Sequence, residues 1–92
     1  MQIRWTNLAL NDFTQICDYT EEHGSAAIAR RVSISICEQI SGLSKFPELG
    51  RTGRKPETRE LVLMGLPYIA IYRLSTKEIQ VVRLLHGAQQ WP

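Results

Sequence analysis

Three short runs in the last third of the chain, 59–64, 68–74 and 79–86, are rich in β-branched and aromatic residues and are separated by Gly65-Leu66-Pro67 and Ser75-Thr76-Lys77-Glu78. Apolar runs of strand length between turn residues predict two antiparallel hairpins, so these segments read as a three-stranded meander. Along 79–86, period-two alternation sets Ile79, Val81, Arg83 and Leu85 on one face and Gln80, Val82, Leu84 and His86 on the other. Both sets are largely apolar, so the sheet is expected to be covered on one side and partly on the second.

Upstream the period changes. Residues 2–5 read as a short strand in which Ile3 and Trp5 point away from Gln2 and Arg4, and Thr6 or Asn7 can cap the helix that follows. Ala9, Phe13, Ile16, Cys17 and Thr20 recur at helical spacing as an apolar stripe, with Asp12, Asp18, Glu21 and Glu22 on the wet side. His23-Gly24 stops the helix. Ser25 can cap a second helix from 26 to about 45, striped by Ile28 or Ala29, Val32, Ile36, Ile40 and Leu43, with Arg30 and Arg31 as solvated charges on its polar face. Phe46-Pro47 ends it, because proline disfavours helical geometry in the residue before it. The expected architecture is a single α+β domain over 1–92: an N-terminal strand, then a two-helix antiparallel hairpin packed on an antiparallel three-stranded C-terminal meander.

At 92 residues one small core gives marginal stability, so a binding partner that contributes to it is a reasonable expectation. A hydrophobic fraction of 43% with 22% charged residues argues against disorder. No apolar run approaches membrane-spanning length and the first residues lack the apolar core of a signal peptide, so a cytoplasmic location is expected. Cys17 and Cys37 fall within helical patterns without C-x-x-C or zinc spacing, and read as small buried hydrophobes. No cofactor or metal is expected. The net charge of +2 hides an excess in 50–59, where Arg51, Arg54, Lys55 and Arg59 meet the one carboxylate of Glu57. Guanidinium forks suit phosphate or carboxylate, so a polyanion or an acidic protein segment is the implied contact of this loop, the alternative being a solvated basic loop without a partner.

The order strand, helix, helix and meander carries a recognisable set of residues. Trp5, Ala9 and Ile16 open the chain, Phe46-Pro47-Glu48-Leu49-Gly50-Arg51 follows the second helix, and Thr58-Arg59-Glu60-Leu61 starts the sheet. Tyr68-Ile69-Ala70-Ile71-Tyr72-Arg73 and the terminal Leu85-His86-Gly87-Ala88-Gln89-Gln90-Trp91-Pro92 complete it. In this the chain resembles the RelE/ParE superfamily of type II toxin–antitoxin toxins, and is most similar to the ParE branch. The resemblance implies a cognate antitoxin whose C-terminal segment wraps the toxin, contact with operator DNA only through that antitoxin, and no membrane. ParE-like members are described as poisons of DNA gyrase, RelE-like members as ribosome-dependent messenger RNA endoribonucleases. A relic that serves only in operon repression is a further alternative.

RNA cleavage by 2′-hydroxyl attack needs a proton acceptor, a stabiliser of the phosphorane and a proton donor for the leaving oxygen. Aligning 68–72 with the strand that carries the supporting arginine in RelE-like nucleases puts Ile69 in its place, and Glu60 and Val62 fall where RelE has a pair of lysines. Those departures argue against the nuclease and for inhibition by binding. A nuclease built on this chain would have to use Arg59, Arg83 and His86, expected near strand ends on adjacent strands, with Arg83 and His86 on opposite faces by parity so that one cluster needs a bulge or twist; the structural reading instead pairs Arg83 with a carboxylate such as Glu60 and lets His86 cap the core edge. Under the binding reading no residue is catalytic, and Arg51, Arg54, Lys55, Arg59, Tyr68, Arg73, His86 and Trp91 are the expected contacts to target or antitoxin.

Overall fold

In a computed structural model, which describes residues 1–87, the order is β1 (Gln2–Trp5), α1 (Asn7–His23), α2 (Ala26–Ser41), a 3-10 turn (Gly42–Ser44), β2 (Arg51–Thr52), β3 (Thr58–Val62), β4 (Tyr68–Leu74) and β5 (Glu78–His86). The helices start where the caps predict. Thr6 and Ser25 each accept from the amide three residues on, Ala9 and Ile28, satisfying donors that have no partner within the helix. The second helix tightens into the 3-10 turn from Gly42, short of the expected α-helical end.

One five-stranded sheet, ordered β1-β5-β4-β3-β2, backs the helical hairpin. Only the three central strands form the expected meander. The N-terminal strand joins parallel to β5, Gln2 opposite Glu78 through Trp5 opposite Val81, and β2 adds an antiparallel edge within what the sequence presented as a basic loop. β2 is too short for a periodicity signal, and Gly53 makes it possible: a Cβ there would collide with the Thr58 hydroxyl, so only glycine lets the chain turn back this closely.

The core lies between helices and sheet: Ala9 and Ile16 of α1, Ile36 and Ile40 of α2, Leu43, and Leu61, Leu63, Ala70, Tyr72, Ile79, Val81 and Leu84 from the sheet side. Tyr72 is fully buried and uses its hydroxyl twice, donating to Pro47 O at 2.8 Å and accepting from Gly50 N at 2.9 Å, which fixes the segment leading to β2. The second face of the sheet also has buried members, Thr58, Glu60, Ile71 and Leu85.

Three features depart from the sequence pattern. Alternation along β5 does not run unbroken: Tyr72 faces Val81 but Ile71 faces Arg83, so a bulge absorbs Val82 and inverts every later side chain. Leu84 thereby joins Ile79 and Val81 in the core, while Arg83 and Leu85 move to the other face. Asp12 is buried and does not belong to the wet side of α1. Cys37 is exposed, because it follows Ile36 off the Ile36–Ile40 stripe; Cys17 is half-buried, and burial, followed by the neighbouring Asp18, pushes its thiol above the ordinary range.

Candidate functional site

The polar residues singled out from the sequence fall in three places, two of which meet at a small cleft lined by both Arg54 and His86. The first is the seam between α1 and the end of β5. β1 stops pairing at Val81, and α1 takes over that edge: the Thr6 amide donates to Val81 O at 2.9 Å, the Thr6 hydroxyl to Val82 O at 2.9 Å, and Asp12 Oδ2 accepts from Leu84 N at 2.9 Å. The same carboxylate receives Arg83 in a two-pronged pair, Nε to Oδ2 at 2.7 Å and an Nη to Oδ1 at 3.0 Å. Hydrogen bonding to Asp12 raises the Arg83 pKa above its already high ordinary value. Arg83 therefore pairs with Asp12 and not with Glu60, since α1 crosses the β5 edge where the sequence indicated no acidic neighbour. A signal was present: Ala9, Asp12, Phe13 and Ile16 follow the i, i+3, i+4, i+7 rule, which places Asp12 on the buried stripe.

A groove of about 580 Å³ runs along this seam, lined by Gln15, Tyr19, Tyr68, Arg83 and His86 among others. Tyr68 faces His86 across the β4–β5 ladder and meets its ring edge-on at 5.8 Å. Arg83 and His86 thus share a groove, although three positions apart on one strand, because the Arg83 side chain turns around the sheet edge to reach Asp12.

The second place is the hairpin of β2 and β3. Arg51 contacts Glu60 at 3.1 Å, the Arg54 amide donates to the other Glu60 oxygen at 3.2 Å, and the Lys55 carbonyl accepts both the amide and the hydroxyl of Thr58. Arg73, exposed on β4, sits opposite Thr58 and extends this cationic surface across the sheet.

Arg59 is the third, and it stands apart. It faces Tyr72, and an Nη donates to Glu48 O at 3.2 Å, while Nε is buried with no partner among the described residues. β4 separates it from β5, and four positions along β4, about 13 Å, separate its register from that of His86. The set Arg59, Arg83 and His86 is therefore not brought together, and Arg59 is not on a strand adjacent to the other two. Trp91 lies outside the described residues.

With this geometry in hand, comparison with known proteins places the chain. Residues 3–91 match the family described as the ParE toxin of type II toxin-antitoxin system, parDE. The chain belongs to the ParE toxin family. Y4kP of Sinorhizobium fredii, named as a presumptive toxin, is 41% identical over 91 residues, covering 99% of this chain and 93% of that protein. Toxin RelE2 of Caulobacter vibrioides is 33% identical over 88 residues, 96% and 97% of the two chains. A solved structure titled as the chromosomal ParDE TA system from P. aeruginosa superposes with a TM-score of 0.88 at 30% identity, covering 94% of this chain and 95% of the other. The α+β fold of N-terminal strand, two helices and antiparallel sheet strands is that of this ParDE neighbour. As a ParE-family member the chain is a toxin of a type II toxin–antitoxin system, a context that brings a cognate antitoxin partner. No helix among the described residues is long and apolar enough to cross a membrane.

Proposed function

We propose that this toxin inhibits DNA gyrase by binding and is neutralised by its antitoxin, with no covalent chemistry of its own. The observation that carries the reading is the commitment of Arg83. A phosphorane stabiliser must aim its guanidinium at substrate oxygens, whereas two nitrogens of Arg83 are held by Asp12 at 2.7 and 3.0 Å. Ile69 supports the same reading, since it occupies the β4 position where the resemblance to RelE-like nucleases calls for an arginine, with Val62 and Leu85 as its partners on the neighbouring strands. Binding would draw on the cations around β2 and β3 and on Tyr68 and His86 at the seam.

One observation favours the ribonuclease as a second reading. His86, Tyr68 and Arg83 line one groove, an acid–base ring beside an aromatic face and a cation, and a relative over nearly the whole chain carries the name RelE2. The two readings part in a side-by-side assay of the purified toxin on gyrase supercoiling and on cleavage of ribosome-bound messenger RNA. Inhibited supercoiling with intact messenger is the expected result; codon-dependent cleavage with unaffected supercoiling would reverse the assignment.

A further inference from the structure

The two layers of the fold carry opposite charge. The helices α1 and α2 hold Asp12, Asp18, Glu21, Glu22 and Glu38 against Arg30 and Arg31, whereas the side chains of the rest of the chain supply nine cations and four carboxylates. A polyanion is therefore drawn to the sheet and away from the helices. On the far side of the sheet the register assembles a row across four strands. Arg4 of β1 faces Gln80 of β5, Gln80 faces Arg73 of β4, and Arg73 faces Thr58 of β3, whose carbonyl accepts from Gly53 N at the foot of the hairpin carrying Arg54 and Lys55. The chain neighbours of these residues, Ile3 and Trp5, Ile79 and Val81, Tyr72 and Leu74, all pack into or against the core, so the pleat turns Arg4, Gln80 and Arg73 away from the helices.

The row is open to solvent. Arg73 is exposed and meets no carboxylate among the described residues. Arg4 touches Glu78 at 3.1 Å through a side chain 63% exposed, a contact that water and salt leave easily exchanged.

The chemistry of the row selects its partner. A protein surface would call for an aromatic or apolar centre with charge at the rim, and here the centre is guanidinium and amide. Single-stranded nucleic acid is held by stacking on aromatic rings, and none stands in the row. Contacts to a DNA backbone draw on arginine, lysine and glutamine donors. Arg4 and Arg73 lie two strands apart, about 10 Å, and the hairpin cations about as far again, close to the roughly 12 Å width of the B-DNA major groove, so successive cations reach the two backbones that border it. The corresponding groove of duplex RNA is too narrow for this.

We infer that this row binds the phosphate backbone of duplex DNA directly, through Arg4, Arg73 and the hairpin cations, with Gln80 as a neutral donor between them. Its use on the DNA held by gyrase rests on the gyrase reading above.

The test follows a labelled mixed-sequence duplex by fluorescence anisotropy as purified toxin is added, between about 50 and 200 mM salt. The single strand and an RNA duplex of the same sequence are run beside it. Arg73→Gln and the double variant Arg4→Gln with Arg73→Gln are compared with the parent and with a control on the helical layer, Arg30→Gln with Arg31→Gln, each checked by thermal melting. The expected result is duplex DNA binding in the range of about 1–100 µM, weakening with salt. Arg73→Gln should reduce the salt slope by about one and the double variant by about two, the latter binding about tenfold more weakly, while the control matches the parent. The double variant should also need several-fold more toxin to inhibit gyrase supercoiling.

No duplex binding by the parent at about 100 µM, or equal affinity and slope in the folded double variant, overturns the inference. Preference for the single strand or for RNA overturns the choice of duplex DNA. Variants that keep DNA affinity but lose affinity for gyrase free of DNA assign the face to an acidic protein surface, and overturn it too. Lost DNA binding with unchanged supercoiling inhibition overturns the part given to the contact in poisoning. A parent that binds duplex through these arginines yet spares gyrase supports the contact and removes the gyrase reading.

Discussion

Two nearly buried carboxylates, Asp12 and Glu60, each hold an arginine and a backbone amide, and the contrast between them separates scaffold from recognition surface. Asp12 takes Arg83 with two nitrogens and Leu84 N besides, joining residues 71 and 72 positions away. Glu60 takes Arg51 through a single nitrogen at 3.1 Å and the Arg54 amide at 3.2 Å, nine and six positions away. The Arg83 side chain is 28% exposed, that of Arg51 59%. A bidentate pair on a buried carboxylate is fixed in geometry, whereas a single contact from a well-exposed guanidinium is easily exchanged for a partner's carboxylate or phosphate. The seam therefore ties the first helix to the last strand. The hairpin presents charge.

Breaking the seam should have the largest effect. Asp12→Ala strands the Leu84 amide and the Arg83 charge together and should destabilise the fold by about 2–3 kcal/mol, below the range for a fully buried pair because Arg83 keeps contact with water. For a domain of this size that lowers the melting temperature by roughly 10–20 °C, measurable by calorimetry; a shift below a few degrees would mean that the seam contributes little. The matched pair Arg83→Gln and Arg51→Gln sharpens the contrast. The first should cost about 2 kcal/mol in chemical denaturation, since Asp12 keeps a buried charge with one amide partner, and the second less than about 0.5 kcal/mol. Equal losses would erase the distinction.

On the hairpin the expected change is in binding. Replacing Arg51, Arg54 and Lys55 together by glutamine should leave stability within about 1 kcal/mol, while affinity for the target falls and its dependence on salt flattens. An unchanged salt slope in that variant would reduce these cations to a solvated surface.

Much of this architecture was legible because its elements obey a period. The caps at Thr6 and Ser25, the helix stripes and the three central strands follow from side-chain spacing, and the family resemblance follows from residues spread across the chain. What escaped has physical reasons. The bulge at Val82 is a one-residue event that leaves composition untouched yet inverts the rest of β5, so Leu84 reads as an opposite-face residue until the register is seen. Asp12 reads as a solvated acid in the sequence because its partner is supplied by a strand 71 positions away. Of the site, the cationic hairpin was readable as a charge run, but the separation of Arg59 from His86 depends on which strand lies between them. Sequence order alone hides that.

Poisoning by binding, without acid–base chemistry, stands or falls at His86. Glutamine there keeps much of the size and a hydrogen-bonding end group while removing the titratable ring. With folding verified by a thermal melt, His86→Gln should inhibit gyrase at a concentration within about fivefold of the parent toxin, as expected when a single hydrogen bond or ring contact is altered. A catalytic His86 predicts instead a loss of two to four orders of magnitude in messenger cleavage. That loss in a folded variant, with a parent toxin that cuts ribosome-bound RNA and spares gyrase, would contradict the claim.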